Sequence, residues 1–492
     1  MIATSKLSVV YRDIITQIIR KKSTLPKFTP KLKCGQPTAE THPHLLKTGE
    51  VVPYINASEF QTRRQGLIDQ IIAYNDANAH TRSHLVIIPS ATKKYMSDKI
   101  PYVFRQNTDY LYLSGCLEPD SCLVINTTHS SKHCSTLFVR NPDSHSELWD
   151  GPRTAAEVAP SVFGVDHSLP MSDLETFLHS YISSTKNCTI WYDVMDALQS
   201  GVDRIVRDLR QSSLNVRMES PKRFVHKLRL IKSAAEIYLM QKSCEIASEA
   251  INDTMAFSKP DMSEHQIYAK VDYECRMRGA QYLAYPPVVA GGERATIIHY
   301  INNNQRVPDG EMVLMDAGCE YHGYSSDITR TWPVNGRFSP EQKLIYEVVQ
   351  SVQADLIKLL HNYPSLDNLF DHMCVLLGKR LQEIGLVPQN VPSELLFKTA
   401  YEFCPHHVSH YLGMDVHDTH LIPRNIRLQP GMIITMEPGI YINERHKVPP
   451  EFKGLGVRIE DDVLITEDGP VILTNKCLKN LDVIEHLVSK ME

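Results

Sequence analysis

Apolar residues in the second half of the chain recur at helical spacing in some segments and form short continuous runs in others. Four helical segments each follow a serine: Ser233, Ser263, Ser339 and Ser365. In three cases Glu236, Gln266 or Gln342 stands three positions after the serine, which is the pattern of a capping box. Strand-like runs come after the second and the fourth helix. The order helix, helix, strands therefore occurs twice and predicts a duplicated unit.

The two strand-like regions also resemble each other in sequence. Residues 310–318 read GEMVLMDAG and residues 431–439 read GMIITMEPG. Each stretch begins and ends with glycine and places an acid directly after a methionine. Asp316 and Glu437 thus hold equivalent positions, and a pseudo-twofold axis through a duplicated fold would bring them face to face.

The first half of the chain predicts a separate, smaller α/β domain. We expect Ser58 to cap a helix with apolar residues along one side. Short apolar runs that are typical of strands follow at 85–88, 122–125, 136–139 and 189–192. Because 492 residues exceed what one core usually organises, we predict an α/β domain over 49–220 and a second, α/β (α+β) domain over 221–492.

The first 37 residues differ in composition from the rest, with eight basic residues against the single acid Asp13. Leu7, Val10, Ile14 and Ile18 recur at helical spacing within this stretch. A basic amphipathic helix is typical of a mitochondrial transit peptide, which we predict within residues 1–48 together with a linker. A disordered basic tail is the alternative interpretation.

The remaining composition narrows the class of protein. A net charge of −5 and a pI near 6.5 do not indicate a basic surface for nucleic acid, so no nucleic-acid partner is expected. No apolar run reaches the roughly 18 residues of a membrane span, so no membrane partner is expected either. The eleven cysteines are scattered without a C-x-x-C pair, which favours buried thiols over disulfides or a zinc module.

Four acids stand in or beside strands that otherwise consist of apolar residues. Asp316 and Asp327 are eleven residues apart with glycines between them, so their carboxylates can meet across a hairpin. Glu437 and Glu460 flank a longer hairpin with a charged, proline-bearing loop. Taken singly, each is weak evidence, and the acid run that begins at Glu460 usually marks a solvated face.

Together, however, four buried carboxylates would repel one another, and burying even one unpaired carboxylate costs several kcal/mol, roughly. Two divalent ions supply four positive charges, and His410 adds a neutral ligand. Carboxylate oxygens with one imidazole suit a hard-to-borderline ion such as manganese or cobalt. The pattern therefore predicts a centre of two divalent metal ions, with manganese as the expected metal and cobalt as the alternative.

The motifs around these residues resemble one known family. MDAG, SSDITRTWP, SHYLGMDVHD, TMEPGIYI and GVRIEDDVLIT are similar to the signature of the pita-bread metallopeptidases. RQNTDYLYLSG, LWDGPR and LRLIKSAAEI resemble the Xaa-Pro aminopeptidase branch, and AYPPVVAGG with the basic leader is most similar to its mitochondrial members. The resemblance covers residue 40 to the C-terminus. It implies a pita-bread catalytic domain over 221–492.

The resemblance also implies a role for each site residue. Asp316 would bind one metal ion, His410 and Glu437 the other, and Asp327 and Glu460 would bridge the two. Glu437 is the expected proton acceptor, and Arg458 orients the site. Substrate contacts fall to Tyr285, His299, His406 and His417, of which His299 and His417 also take part in catalysis.

The implied activity is release of one N-terminal residue from peptides or proteins, preferentially when proline is second. The implied location is mitochondrial, with the cytoplasm as an additional location, and the implied assembly is a homodimer. Prolidase, which cleaves Xaa-Pro dipeptides, is the nearest rival function. Methionine aminopeptidase and a non-catalytic pita-bread binding protein are further alternatives.

Overall fold

The computed structural model describes residues 34–77, 83–127, 133–185, 187–212 and 216–489. The predicted basic leader helix lies outside these residues. The chain divides into two compact units, Met1–Phe224 and Val225–Glu492. No helix in the described ranges is long and apolar enough to cross a lipid bilayer.

The N-terminal unit contains a mixed sheet flanked by helices. Its strands are β1 Glu50–Val52, β2 Ile55–Asn56, β3 Ser83–Pro89, β4 Tyr95–Ser97, β5 Ile100–Pro101, β6 Cys122–Thr127, β7 His133–Val139, β8 His167–Pro170, β9 Cys188–Trp191 and β10 Val216–Glu219. Its helices are α1 Ala57–Ala77, α2 Thr108–Ser114, α3 Ser144–Asp150, α4 Ala159–Phe163, α5 Leu174–Ser184, α6 Ser200–Ser212 and α7 Lys222–Leu230, the last of which runs across the boundary into the second unit.

The six-stranded sheet has the order β10-β9-β3-β6-β7-β8. All four apolar runs predicted as strands lie in it, as β3, β6, β7 and β9. Every residue of β3 and β6 is buried, which explains why these strands read as continuous apolar runs. Ser58 is not a cap, because α1 begins at Ala57 and places Ser58 in its first turn.

The C-terminal unit packs small antiparallel sheets against long helices. Its strands are β11 Tyr282–Leu283, β12 Val288–Gly291, β13 Met312–Ala317, β14 Cys319–Tyr321, β15 Tyr324–Ser325, β16 Ile328–Pro333, β17 Ile433–Met436, β18 Gly439–Tyr441, β19 Gly456–Arg458, β20 Asp461–Thr466 and β21 Gly469–Ile472. Its other helices are α8 Ala234–Phe257, α9 Glu264–Met277, α10 Pro340–Leu359, α11 Leu366–Glu383, α12 Ser393–Phe403 and α13 Leu481–Ser489.

The predicted helix starts are confirmed. Ser233, Ser263, Ser339 and Ser365 cap α8, α9, α10 and α11, and each forms a full capping box. In each box the serine side chain and the residue three positions later satisfy two backbone N–H groups that the helix leaves without partners. The helix order follows from these local signals.

The two similar strand sequences form β13 and β17. β13 lies between β12 and β16 in an antiparallel sheet. β17 lies between β20 and an isolated bridge from Tyr411 to Ile434. Each of the two strands is thus paired on both sides, and each carries its acid at its C-terminal end, at Asp316 and just after Met436.

Candidate metal centre

Asp316 and Asp327 are brought together by the hairpin that begins after β13. In the pairing of β13 with β16, Asp316 stands opposite Thr329, and Asp327 directly precedes β16. The junction between β13 and β14 requires glycine, because a Cβ on Gly318 would lie 1.8 Å from the carbonyl oxygen of Ser326. The expectation that the two carboxylates meet across a hairpin is confirmed.

Tyr285 lies between these two carboxylates. Its hydroxyl is 2.6 Å from Asp316 Oδ1 and 2.5 Å from Asp327 Oδ1. Burial and the neighbouring acids raise the pKa of Tyr285 well above its ordinary value, so the hydroxyl stays protonated. Tyr285 therefore contacts two of the predicted ligands directly, which the sequence did not indicate.

The other ligands converge on Asp327 from the second half of the duplicated unit. His410 Nε2 lies 3.3 Å from Asp327 Oδ2 and 3.7 Å from Glu437 Oε1. One ligand atom each from Asp327, His410 and Glu460 lie within 4.8 Å of one another. His410 is oriented by its backbone N–H, which donates to Thr435 Oγ1, and by Nδ1 beside the Tyr411 carbonyl.

The site carries more negative charge than the protein balances. Burial, together with Asp316, raises the pKa of Asp327 well above its ordinary value, and burial together with Asp327 and Glu437 does the same for Glu460. Burial raises the pKa of Glu437 to about 7, although His410 and Arg458 act in the opposite direction. These carboxyls therefore resist ionisation unless further positive charge is supplied.

Arg458 is the one cationic side chain that pairs with any of the four acids within the described ranges. Its Nη2 donates to Asp316 Oδ2 at 2.6 Å, its Nε to Thr329 Oγ1 at 3.0 Å and its Nη1 to the Tyr441 hydroxyl at 2.8 Å. Although burial opposes the charge, Tyr441 and Asp316 raise the pKa of Arg458, which keeps the guanidinium ionised.

The predicted substrate-side histidines lie around these acids. His417 has its ring centroid 4.5 Å from that of His410, and burial with His410 lowers the pKa of His417 to about 4. His406 Nε2 is 2.9 Å from the Tyr441 hydroxyl, and its Nδ1 is 3.7 Å from Glu437. His299 is exposed, but it is near enough to lower the pKa of both His406 and His417.

Several residues of the site were missed from the sequence. Thr329 donates from Oγ1 to Glu460 Oε2 at 2.6 Å. It stands two residues after Asp327, and side chains at this spacing in a strand point to the same face, so the sequence did indicate its place near Asp327. Tyr441 and Thr435 flank the predicted Glu437, but no pattern distinguishes them. The acid run after Glu460 does not form a solvated face, since Asp461 and Asp462 are fully buried. Asp462 accepts the backbone N–H of Asp327 at 3.0 Å.

The residues present fit a metal centre. Within the described residues, the four carboxylates have one guanidinium, that of Arg458, beside them. His410 offers its Nε2 atom to the same space. Oxygen donors with one imidazole are the ligand set of hard-to-borderline divalent ions. Divalent cations would offset the excess negative charge that raises the pKa of these acids.

Comparison with known proteins gives the same assignment. The model of metallopeptidase family M24 matches residues 238–467, and that of the aminopeptidase P N-terminal domain matches residues 60–191. Xaa-Pro aminopeptidase 3 of Mus musculus is 44% identical over 473 residues, which cover 94% of this chain and 92% of the relative. The mitochondrial intermediate cleaving peptidase 55 of Arabidopsis thaliana is 38% identical over 92% of this chain and 87% of its own length.

Solved structures agree. Proline aminopeptidase P II from Yersinia pestis superposes with a TM-score of 0.81 at 33% identity, over 88% of this chain and all of that chain. A zinc-substituted aminopeptidase P of Escherichia coli in complex with product has a TM-score of 0.81 at 32% identity, over 89% of this chain and 99% of that chain. The C-terminal unit thus has the pita-bread fold, and the chain is a metallo-aminopeptidase that belongs to metallopeptidase family M24, with an N-terminal domain of the aminopeptidase P type.

Proposed function

We propose that this enzyme releases a single N-terminal residue from peptides and proteins, preferentially when proline is the second residue. The observation that carries the proposal is the convergence of Asp327, His410 and Glu460 within 4.8 Å, with Asp316 and Glu437 beside them. The relatives at 44% identity are named Xaa-Pro aminopeptidases, which supports the substrate class. Residues 221–492 would form the catalytic domain and residues 49–220 the N-terminal domain.

Five side chains would hold two divalent ions, for which we propose manganese. They are Asp316, Asp327, His410, Glu437 and Glu460. When bound, such ions supply Lewis acidity toward the scissile carbonyl and lower the pKa of water. The protein's own part is to present these donors together at one largely buried place.

The remaining side chains act on protons and on the substrate. Glu437 would accept and return the proton, since its carboxyl lies beside His410 and His406 at the acid cluster. His417 has a pKa of about 4, so it stays neutral and can hydrogen-bond to the substrate without adding charge. His299 and His406 would line the substrate side, Tyr285 would hold two ligands in place, and Arg458 would orient Asp316.

Proline in the second position suits this design. The peptide bond to proline is a tertiary amide with no N–H. An enzyme that must hydrogen-bond to the N–H of the scissile peptide bond therefore cannot cleave before proline. A dimetal site would not need that N–H, since it would hold the free amino terminus and polarise the scissile carbonyl by Lewis acidity. This reasoning favours cleavage next to the terminus rather than within a chain.

We further propose that the enzyme works in mitochondria on imported proteins and as a homodimer. The basic composition of residues 1–37 supports the location, and so does a plant relative whose name places it in mitochondria. The name intermediate cleaving peptidase, carried by relatives at 31–38% identity, supports a role in protein processing. The dimer rests on the family resemblance.

One set of assays tests the activity. The full chain is stripped with a chelator and then assayed with added Mn²⁺ on Xaa-Pro dipeptides, tripeptides and longer Xaa-Pro peptides. We expect release of one residue from tripeptides and longer chains only when metal is returned. Turnover of dipeptides alone would assign the enzyme as a prolidase, and unchanged turnover in Glu460→Ala would refute the metal site.

A further inference from the structure

Gln353 is a buried polar residue of α10 whose side chain reaches the backbone beneath the acids. It is 1% exposed, and its amide nitrogen donates to the carbonyl oxygens of Met436 and Ile459, each at 3.1 Å. These are the residues directly before Glu437 and Glu460. One side-chain NH₂ group therefore joins the two chain segments that carry these two acids.

Among the described residues, one backbone hydrogen bond joins the segments at this point, from the Ile459 N–H to the Pro438 carbonyl at 3.3 Å. Antiparallel pairing of β17 with β20 ends at Met436 opposite Asp461, and that of β18 with β19 begins at Gly439 opposite Arg458. Between the two ladders, the N–H of Glu437 donates to Val408 and that of Glu460 to Thr329, both outside this pair of segments. Pro438 has no N–H to donate. The two acids leave the sheet in this interruption.

The orientation of the Gln353 amide is fixed from the other side. Its Oε1 accepts from Lys479 Nζ at 2.8 Å, and Lys479 also pairs with the fully buried Asp461. Because a lysine ammonium only donates, the amide oxygen must face it, and the NH₂ group must face the interruption. Arg330 donates a hydrogen bond to the other carboxylate oxygen of Asp461 at 2.7 Å and another to the Glu460 backbone carbonyl at 2.6 Å.

We propose that Gln353 is a positioning residue that sets the spacing between Glu437 and Glu460. Its two N–H bonds add to the single backbone bond between the segments, so the two carboxylates project into the site at a fixed separation. This inference rests on the proposed function, in which both acids are metal ligands. Outer residues that hold ligands in place typically contribute about 10- to 100-fold to metal affinity.

Gln350 offers a matched control on the same helix. Its amide nitrogen donates to the Lys479 carbonyl at 2.6 Å, so it also bonds α10 to the C-terminal backbone, but it bonds neither acid-bearing segment. Gln353→Met and Gln350→Met each replace an amide side chain with an apolar side chain of nearly the same volume. Gln353→Glu keeps the oxygen toward Lys479 and replaces the NH₂ by an acceptor that faces two carbonyls.

The test measures metal binding rather than turnover alone. Full-length wild type and each variant are stripped of metal, titrated calorimetrically with Mn²⁺, and loaded with Co²⁺ to record the visible spectrum. We expect Gln353→Met to weaken at least one binding step by about 10-fold or more and to shift the Co²⁺ bands. Gln350→Met should match the wild type in both measurements.

Wild-type affinity and an unshifted Co²⁺ spectrum in Gln353→Met would overturn the proposal. If Gln353→Met does not fold, as judged by circular dichroism, Gln353→Glu decides by the same two readouts. The wild-type titration is separate from this comparison. If the wild type itself binds no Mn²⁺ or cleaves no Xaa-Pro peptide, the proposed function fails and not only the role of Gln353.

Discussion

Arg458 donates a hydrogen bond of 2.6 Å to Asp316, and the guanidinium is buried while the carboxylate is partly exposed. The same guanidinium reaches Thr329 and Tyr441, so its three nitrogens have three different partners. Arginine is needed at this position, because its planar guanidinium presents N–H donors in fixed directions and no other cationic side chain does so. Arg458 thus orients Asp316 and, through Thr329, Glu460 as well.

We expect Arg458→Lys to lower kcat/KM for an Xaa-Pro peptide by about 100-fold, since the charge remains but two or three oriented hydrogen bonds are lost. Tyr441→Phe removes one of these bonds and should lower kcat/KM by about 10-fold. Steady-state kinetics on metal-loaded enzyme measure both changes. Equal kinetics for Arg458→Lys and wild type would contradict the orienting role.

Metal binding should stabilise the fold through Asp327. In metal-free protein this carboxyl is buried beside Asp316 and Glu460, so Asp327→Asn removes repulsion. We expect the metal-free variant to have a Tm equal to or above that of metal-free wild type. Added Mn²⁺ should raise the Tm of the wild type, by mass action, and leave that of Asp327→Asn nearly unchanged. A rise of equal size in both proteins, seen by calorimetry, would argue against Asp327 as a ligand.

Asp418 holds two buried cations next to His417. Its side chain is 1% exposed and pairs with Lys232 Nζ at 3.2 Å and with Arg229. Asp418→Asn leaves these cations without their full counter-charge, so we expect a loss of about 3–5 kcal/mol in the free energy of unfolding. Urea denaturation of metal-free protein provides the measurement.

The control for this substitution is Asp272→Asn, which breaks an exposed pair with Arg276 on α9. An exposed pair of this kind contributes about 0.3–0.5 kcal/mol. Similar losses for the two variants would show that burial of Asp418 does not matter to stability.

His322 should make stability fall in mild acid. Burial lowers its pKa to about 4 from an ordinary value of 6.5. The unfolded chain therefore binds a proton that the folded protein rejects, and stability decreases as the pH falls from about 6.5 toward 4. Between pH 7 and 4.5, His322→Asn should flatten the pH profile by about 2–3 kcal/mol, because the pKa falls from 6.5 to about 4 and one pKa unit corresponds to about 1.4 kcal/mol.

Asparagine is the appropriate substitution because His322 has a φ of 49° in the β14–β15 turn, a conformation that asparagine tolerates. The measurement is urea unfolding at several pH values between 7 and 4.5. An identical pH slope in the variant and the wild type would assign the acid sensitivity to other groups.

Local signals in the sequence were sufficient for much of the fold. The capping serines marked the starts of α8 to α11, and the apolar runs marked β3, β6, β7 and β9. These predictions succeeded because a cap or a buried strand depends on neighbours only a few residues away. Ser58 failed because serine is also common in a first turn, where the same local pattern occurs.

The acids and the histidine of the candidate site could also be predicted from the sequence, because carboxylates within buried apolar runs require a compensating positive charge. The tertiary structure alone decided what surrounds them. Tyr285 between two acids, Asp461 buried against Arg330, and Gln353 beneath Glu437 and Glu460 all join segments more than 30 residues apart. Hydrogen bonds and ion pairs of this kind leave no periodic trace in the chain, because they depend on where distant backbones meet after folding.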